Sequence, residues 1–245
     1  MSDAARQTFL LDGEELPFEP GQTVLQAARA AGRFIPWLCF HPEFEPHGSC
    51  RVCTVRFNGC TTSACTMPAQ PGAVVESETP ELRELRRNLV QFLFTEGNHF
   101  CPSCEQSGNC TLQAVGYELG VTTGHYNPLF PNRPIDASHP DVLLDFNRCI
   151  LCELCVRASA EVDGKRVFGL AGRGITKHLV VKAESGRLGD TDLAATDKAV
   201  SVCPVGVIQL KRRGFRVPLG QRTYDRETIR ERVDGPRHEA PGGAP

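Results

Sequence analysis

Methionine, tryptophan and tyrosine are scarce in this chain, with two, one and three among 245 residues. Long apolar runs are missing as well. The longest nearly apolar stretch, Val200 to Leu210, is interrupted by Ser201, Pro204, Gly206 and Gln209 and falls short of the roughly 18–20 residues a spanning helix needs, so no direct membrane insertion is expected. No long block of like charge occurs, and a net charge of −2 argues against a nucleic-acid surface. No G-x-G-x-x-G follows a strand and no Walker loop is present; Gly169-Leu-Ala-Gly172-Arg-Gly174 has the wrong spacing and reads as a turn. Nucleotide binding is therefore expected on another chain. The paired C-x2-C motifs that a nickel site would want near both ends are absent too, and no substrate site is evident, so no catalytic residue is expected here. The N-terminus lacks the apolar core of a signal peptide, and the expectation is a reducing cytoplasm, where structural disulfides are rare.

What is abundant is cysteine. Twelve occur in a chain whose 40% apolar and 23% charged content is otherwise that of an ordinary globular protein. In a reducing compartment such a count points to metal.

The local patterns yield a mixed α+β reading. Thr8–Leu11 and Leu16–Phe18 flank Asp12-Gly13, a hairpin signal. Thr23 and Gln26 make a capping box for a helix over about 23–31, ending near Gly32. Arg51–Phe57 and Thr61–Cys65 read as strands joined at Asn58-Gly59. Thr79-Pro80 begins a helix with Leu82, Leu85, Leu89, Phe92 and Leu93 on one face up to Gly97. A weaker helical pattern covers Cys110–Leu119. Four prolines between Asn127 and Pro140 mark a linker or irregular loop. The segment 211–245 is basic, rich in Gly and Pro at its end, and reads either as an arm lying on something else or as a solvated tail.

The cysteines form three groups. Cys39, Cys50, Cys53 and Cys65 supply four thiolates with a close C-x2-C pair, which suits a [2Fe–2S] cluster; the plant-type spacing keeps that pair but has a shorter first gap. Gly48 and Ser49 offer small backbone that can approach bridging sulfides. Cys60, at the hairpin tip, is the spare, and His47 is read as a supporting or surface histidine. The middle group is Cys101, Cys104 and Cys110, with His99 two residues ahead. Taken alone, one imidazole and three thiolates suit structural zinc as well as a [4Fe–4S] cluster; the neighbouring groups favour iron. Third, Cys149-x2-Cys152-x2-Cys155 opens the bacterial ferredoxin run, and Cys203-Pro204 is its C-P close. Ser159 stands where a fourth cysteine would serve a second cluster. The positions that would complete that cluster are Leu193, Thr196 and Ala199, so the third group reads as a one-cluster relic of a two-cluster domain. Three clusters and no substrate site read as an electron wire.

Ile35-Pro-Trp-Leu-Cys39, Gly48-Ser-Cys-Arg-Val-Cys53, Cys101-Pro-Ser-Cys104 through Cys110-Thr-Leu-Gln113, and the Cys149/Cys203 set together resemble the N-terminal iron–sulfur region of the large subunit of respiratory NADH:quinone oxidoreductase, and that of iron-only hydrogenases. In length the chain is most similar to the small diaphorase subunits of cytoplasmic NAD-reducing [NiFe] hydrogenases. One departure is clear: the respiratory relatives place their ligand histidine four residues before the first cysteine, where this chain has Gly97, leaving His99 as the candidate. The resemblance implies an electron-transfer subunit with one [2Fe–2S] and two [4Fe–4S] clusters. It would link a flavin/NAD-binding diaphorase large subunit, carrying FMN, to the small and large [NiFe] hydrogenase subunits, as part of a hydrogen:NAD+ oxidoreductase. The same wire in an NAD-dependent formate dehydrogenase, or a fragment of the respiratory enzyme, is the nearest alternative; a zinc-stabilised scaffold is the alternative of another class. The expected organisation is a β-grasp, ferredoxin-like [2Fe–2S] domain over 1–78, a small helical [4Fe–4S] domain with one histidine and three cysteine ligands over 79–126, a Pro-rich linker over 127–140, a degenerate bacterial-ferredoxin-like [4Fe–4S] domain over 141–211 and a basic tail over 212–245.

Overall fold

The computed structural model describes residues 7–232; the N-terminal six residues and the Gly- and Pro-rich end of the basic tail lie outside them. The chain opens with β1 (Gln7–Leu11) and β2 (Glu14–Phe18), antiparallel around the expected Asp12-Gly13 turn. The helix α1 (Val24–Ala30) follows, its capping box formed by Thr23 and Gln26 in both directions. Then β3 (Thr54–Phe57) and β4 (Cys60–Ser63) pair across Asn58-Gly59, and β5 (Val74–Glu76) lies parallel to β1 and antiparallel to β3. The result is one five-stranded sheet of order β2-β1-β5-β3-β4. Val24, Leu25, Ala27 and Ala28 of α1 are buried with Phe9, Leu11, Leu16 and Val55 in its core.

Strand β3 begins later than the alternating pattern predicts. Arg51 has φ +60 and the chain curls through Val52 and Cys53 before extending; in a continuous strand the Cys50 and Cys53 side chains, three residues apart, would point to opposite faces. Cys65, too, lies beyond β4, in a turn.

Next comes α2 (Pro80–Glu96), capped by Thr79 and ending at Gly97 as its sequence signals predict. Its buried face differs from the expected stripe. Leu82, Arg86, Val90 and Gln91 are buried, whereas Leu85 and Phe92 are 37% and 50% exposed. The stripe that packs runs i, i+4 from Leu82 through an arginine, and a count of apolar residues passes over it. The short helix α3 (Thr111–Glu118) packs against α2. The proline-rich segment lies along α2: Leu129 N–H donates to the Thr95 carbonyl, and Tyr126 packs its ring on Phe92 at 4.8 Å.

Beyond it, β6 (Ile135–Asp136), β7 (Val142–Asp145) and β10 (Ile208–Leu210) form a three-stranded sheet of order β10-β7-β6. The helix α4 (Leu154–Glu161) and the one-turn α5 (Lys198–Ser201) pack together beside the hairpin of β8 (Phe168–Ala171) and β9 (His178–Val181).

The basic segment lies on the protein itself as far as residue 232. Arg222 donates to the Ser107 carbonyl and pairs with Asp225, Tyr224 N–H donates to the Gly108 carbonyl, and Thr223 bonds Asn109. Arg230 reaches Glu118 at 2.6 Å and Glu78 at 3.1 Å and lies over the Phe34 ring, while Ile229 is buried. This strap joins the α2–α3 region to the first sheet domain.

Candidate metal centres

All twelve cysteines are free thiols, and eleven of them are at least partly buried. Cys60, on the edge strand β4, is exposed and apart from the others.

The first group sits at one end of the five-stranded sheet. Gly48 with φ +72 and Arg51 with φ +60 bend the loop back on itself, so that the Cys50 N–H points at Cys39 Sγ, 3.4 Å away. For a non-glycine residue such a conformation costs about 1–3 kcal/mol, and it concentrates where function fixes the backbone. Cys39 shares hydrogen bonds with the Cys50 and Cys65 thiols, and Cys53 with Cys65. Those bonds hold the Cys39 thiol far below its usual range and push that of Cys65 up. Four sulfurs thus share charge at one place. Behind them lies Arg86, 1% exposed, whose Nη2 donates to the Thr54 carbonyl at 2.8 Å and to Ser77 Oγ at 2.9 Å. Its cation acts on the Cys53 thiol. Nothing in the sequence reading singled it out; the available signal was an arginine four positions after Leu82 on a helix otherwise patterned for a core.

His47 is not among these sulfurs. Its Nε2 lies 3.2 Å from Glu153 Oε1, between the first group's loop and the loop before α4.

The middle group lines a cavity of about 220 Å³ with His99, Cys101, Cys104 and Cys110 on its wall. Burial pushes Cys110 up to about 12 and, with Arg148 nearby, pushes His99 down to about 4, so the imidazole is neutral. The ring bonds the Leu93 backbone and leaves Nε2 buried without a hydrogen-bond partner. A neutral imidazole on the wall of a thiol-lined cavity, with one nitrogen bonded to the backbone and the other without a hydrogen-bond partner, has the form of a metal ligand. The departure at Gly97 has a steric counterpart. A Cβ at residue 97 would stand 2.5 Å from His99 Nε2, so the imidazole occupies the space a side chain at 97 would fill.

Around the third cleft stand Cys149, Cys152, Cys155 and Cys203, with Ile150, Leu179, Val205 and Ile208 beside them. Burial pushes the Cys149 thiol up to about 11 and raises the other three. Leu151 and Glu153, flanking Cys152, have φ +54 and +62, and the Leu151 N–H donates to Cys149 Sγ at 3.4 Å. The walls are mostly apolar, and the Arg133 guanidinium, which donates to the Cys149 carbonyl at 3.4 Å, is the cation acting on the Cys149 thiol. Ser159 is fully buried and its Oγ accepts from the Val167 N–H at 2.8 Å. Leu193 and Ala199 are buried too, while Thr196 is exposed.

The third group's flanks touch both others. Arg157 of α4 donates to the Cys39 carbonyl at 2.7 Å. Pro204, next to Cys203, accepts from the Thr111 N–H at 2.9 Å and from the Cys110 thiol at 3.8 Å. Among the described residues no three His, Cys, Asp or Glu side chains form a compact single-ion site; the middle and third thiol groups line clefts.

Residues 4–80 match a 2Fe-2S iron-sulfur cluster binding domain, residues 86–125 the NADH-ubiquinone oxidoreductase-G iron-sulfur binding region, and residues 142–210 a 4Fe-4S single cluster domain. The NAD-reducing hydrogenase HoxS subunit gamma of Cupriavidus necator is 39% identical over 224 residues, covering 91% of this chain and 95% of that protein. The mitochondrial NADH-ubiquinone oxidoreductase 78 kDa subunit of Candida albicans is 31% identical over 84% of this chain, and the match spans only 29% of that longer protein. A chain in the crystal structure of an NAD+-reducing [NiFe]-hydrogenase in the H2-reduced state superposes with a TM-score of 0.91 at 53% identity, covering 94% of this chain and all of that one.

Proposed function

Since this chain belongs to the family of NAD-reducing hydrogenase gamma subunits, we propose that it is the iron–sulfur electron-transfer subunit between an FMN- and NAD(H)-binding diaphorase subunit and a [NiFe] hydrogenase module. The complex would reversibly couple H2 oxidation to NAD+ reduction, with all bond-making chemistry on the partner subunits, among them the small and large hydrogenase subunits. The respiratory reading is less well supported, because the match spans 29% of that relative against 95% of the hydrogenase subunit.

One observation carries the reading: each of the three iron–sulfur domain matches encloses one thiol group, and His99 Nε2, buried and unpartnered, supplies the fourth donor where only three cysteines stand. On this reading Cys39, Cys50, Cys53 and Cys65 hold a [2Fe–2S] cluster in a β-grasp, ferredoxin-like domain. His99, Cys101, Cys104 and Cys110 hold one [4Fe–4S] cluster, and Cys149, Cys152, Cys155 and Cys203 hold another in a ferredoxin-like domain reduced to one site. Bound there, the clusters supply one-electron relay chemistry with no atom transferred. The chain's own groups fix positions: the left-handed residues Arg51, Leu151 and Glu153 turn their loops onto the sulfurs, and apolar walls exclude water. The third site, touching both others, is the natural middle of the path. A cytoplasmic complex is consistent with twelve free thiols and with the absence, among the described residues, of any helix long and apolar enough to cross a membrane.

Iron, acid-labile sulfide and nickel analysis of the purified complex, together with electron paramagnetic resonance, tests the reading. One [2Fe–2S] and two [4Fe–4S] signals assigned to this subunit, with nickel copurifying, are expected. Zinc in the cysteine sites, or molybdenum in place of nickel, would overturn it.

A further inference from the structure

We propose that Arg148 is a positioning residue that raises the reduction potential of the middle [4Fe–4S] site by donating a hydrogen bond to the Cys104 sulfur. The proposal rests on the assignment of that site above.

Arg148 closes the turn after β7 and immediately precedes Cys149, so its backbone belongs to the third site and its side chain reaches the middle one. Its Nη1 lies 3.4 Å from Cys104 Sγ, 2.9 Å from Glu105 Oε2 and 3.5 Å from the Gly206 carbonyl, and its Nε lies 2.8 Å from Asp145 Oδ2. Its side chain is 19% exposed. Gly206 leaves the room this requires, since a Cβ there would stand 3.0 Å from Nη1. An arginine held from three segments presents its fork in one geometry, which a flexible ammonium would not do.

The physical effect follows from where charge appears. When the middle site gains one electron from its donor, no proton or atom moves, and part of the added charge resides on the ligand sulfurs. A charge-assisted N–H···S bond therefore strengthens on reduction and favours the reduced state, and hydrogen bonds to the sulfurs are among the determinants of cluster potential. Glu105 and Asp145 oppose this. Their carboxylates offset the guanidinium's charge at a distance, so the directed bond to Cys104 is what distinguishes Arg148 from a surface cation.

The test is a redox titration of the intact complex followed by electron paramagnetic resonance, with Arg148→Gln and, separately, Glu105→Gln. The middle site's midpoint is expected to fall in R148Q and to rise in E105Q, where the carboxylate's opposing charge is lost, while the [2Fe–2S] midpoint stays fixed in both. Opposite shifts are a signature that a merely structural role would not produce. An iron-replete R148Q complex with an unmoved or higher middle midpoint overturns the proposal, as does an equal shift at the [2Fe–2S] site. Should R148Q fail to assemble, E105Q decides, and an unmoved or lower midpoint there overturns it. Zinc at the middle site in the parent complex is a different result: it overturns the cluster assignment, and this proposal with it.

Discussion

His99 and Gly97 stand two positions apart and share one volume. With no side chain at 97, the imidazole of His99 sets its Nε2 where a Cβ would otherwise be, and the two residues act as one unit. Gly97→Ala is therefore expected to displace the ring and to weaken the middle site selectively, in the same direction as His99→Ala though less completely. Both should leave the signals of the other two sites intact, as cluster-resolved electron paramagnetic resonance would report. A middle-site signal unaffected by His99→Ala removes the histidine from the ligand set. The close cysteine spacings could be read directly from the sequence, because C-x2-C and C-P are fixed at short offsets whatever the fold. The sequence did not hold Arg86 or the bond from Arg148 to Cys104. Those depend on which helix face turns inward and on which segments meet across the fold, and neither is encoded at a fixed offset.

The ends of α2 were legible while its orientation was not. Thr79, Pro80 and Gly97 mark the ends through hydrogen bonds that are local. The buried face is settled by tertiary packing, and here the sheet domain takes Arg86 into its interior, with the Thr54 carbonyl and Ser77 hydroxyl as partners. That rotates Leu85 and Phe92 outward, where Tyr126 covers part of the exposed ring. Leu82→Ala should then cost about 2–5 kcal/mol, whereas Leu85→Ala should cost less than about 1 kcal/mol. Thermal denaturation of the two variants ranks them, and equal losses would restore the face expected from apolar spacing. The strands show the same division. Both hairpins follow their Asp-Gly and Asn-Gly turns, but β3 starts at Thr54, after the left-handed turn at Arg51 between Cys50 and Cys53.

Across the whole molecule the first and third thiol groups share one hydrophobic core, with Cys110 of the middle group packed against it. Cys39, Cys53, Cys65, Cys152 and Cys155 belong to the same contiguous buried cluster as Phe9, Leu112 and Val142. Stripping iron by chelation at low pH leaves desolvated thiols in all three regions at once, and metal binding free energy in such sites is folding free energy. The stripped protein is expected to lose near-ultraviolet circular dichroism in a single transition and to become protease-sensitive throughout, where separate domains would melt in steps. Arg157, Arg148 and Arg230 each cross between regions, and fold-level connections of this kind are the part of the architecture that no reading of spacing foresees. The strap at 222–230 has a consequence in time. It crosses to Glu78, Glu118 and Phe34, parts made long before it, so during synthesis this second fastening between the first domain and the α2–α3 region, added to the one Arg86 makes with Thr54 and Ser77, closes only after all twelve cysteines have been made. The last stretch of described chain thus works as a clasp, fastened after the metal-binding loops exist and holding them together afterwards.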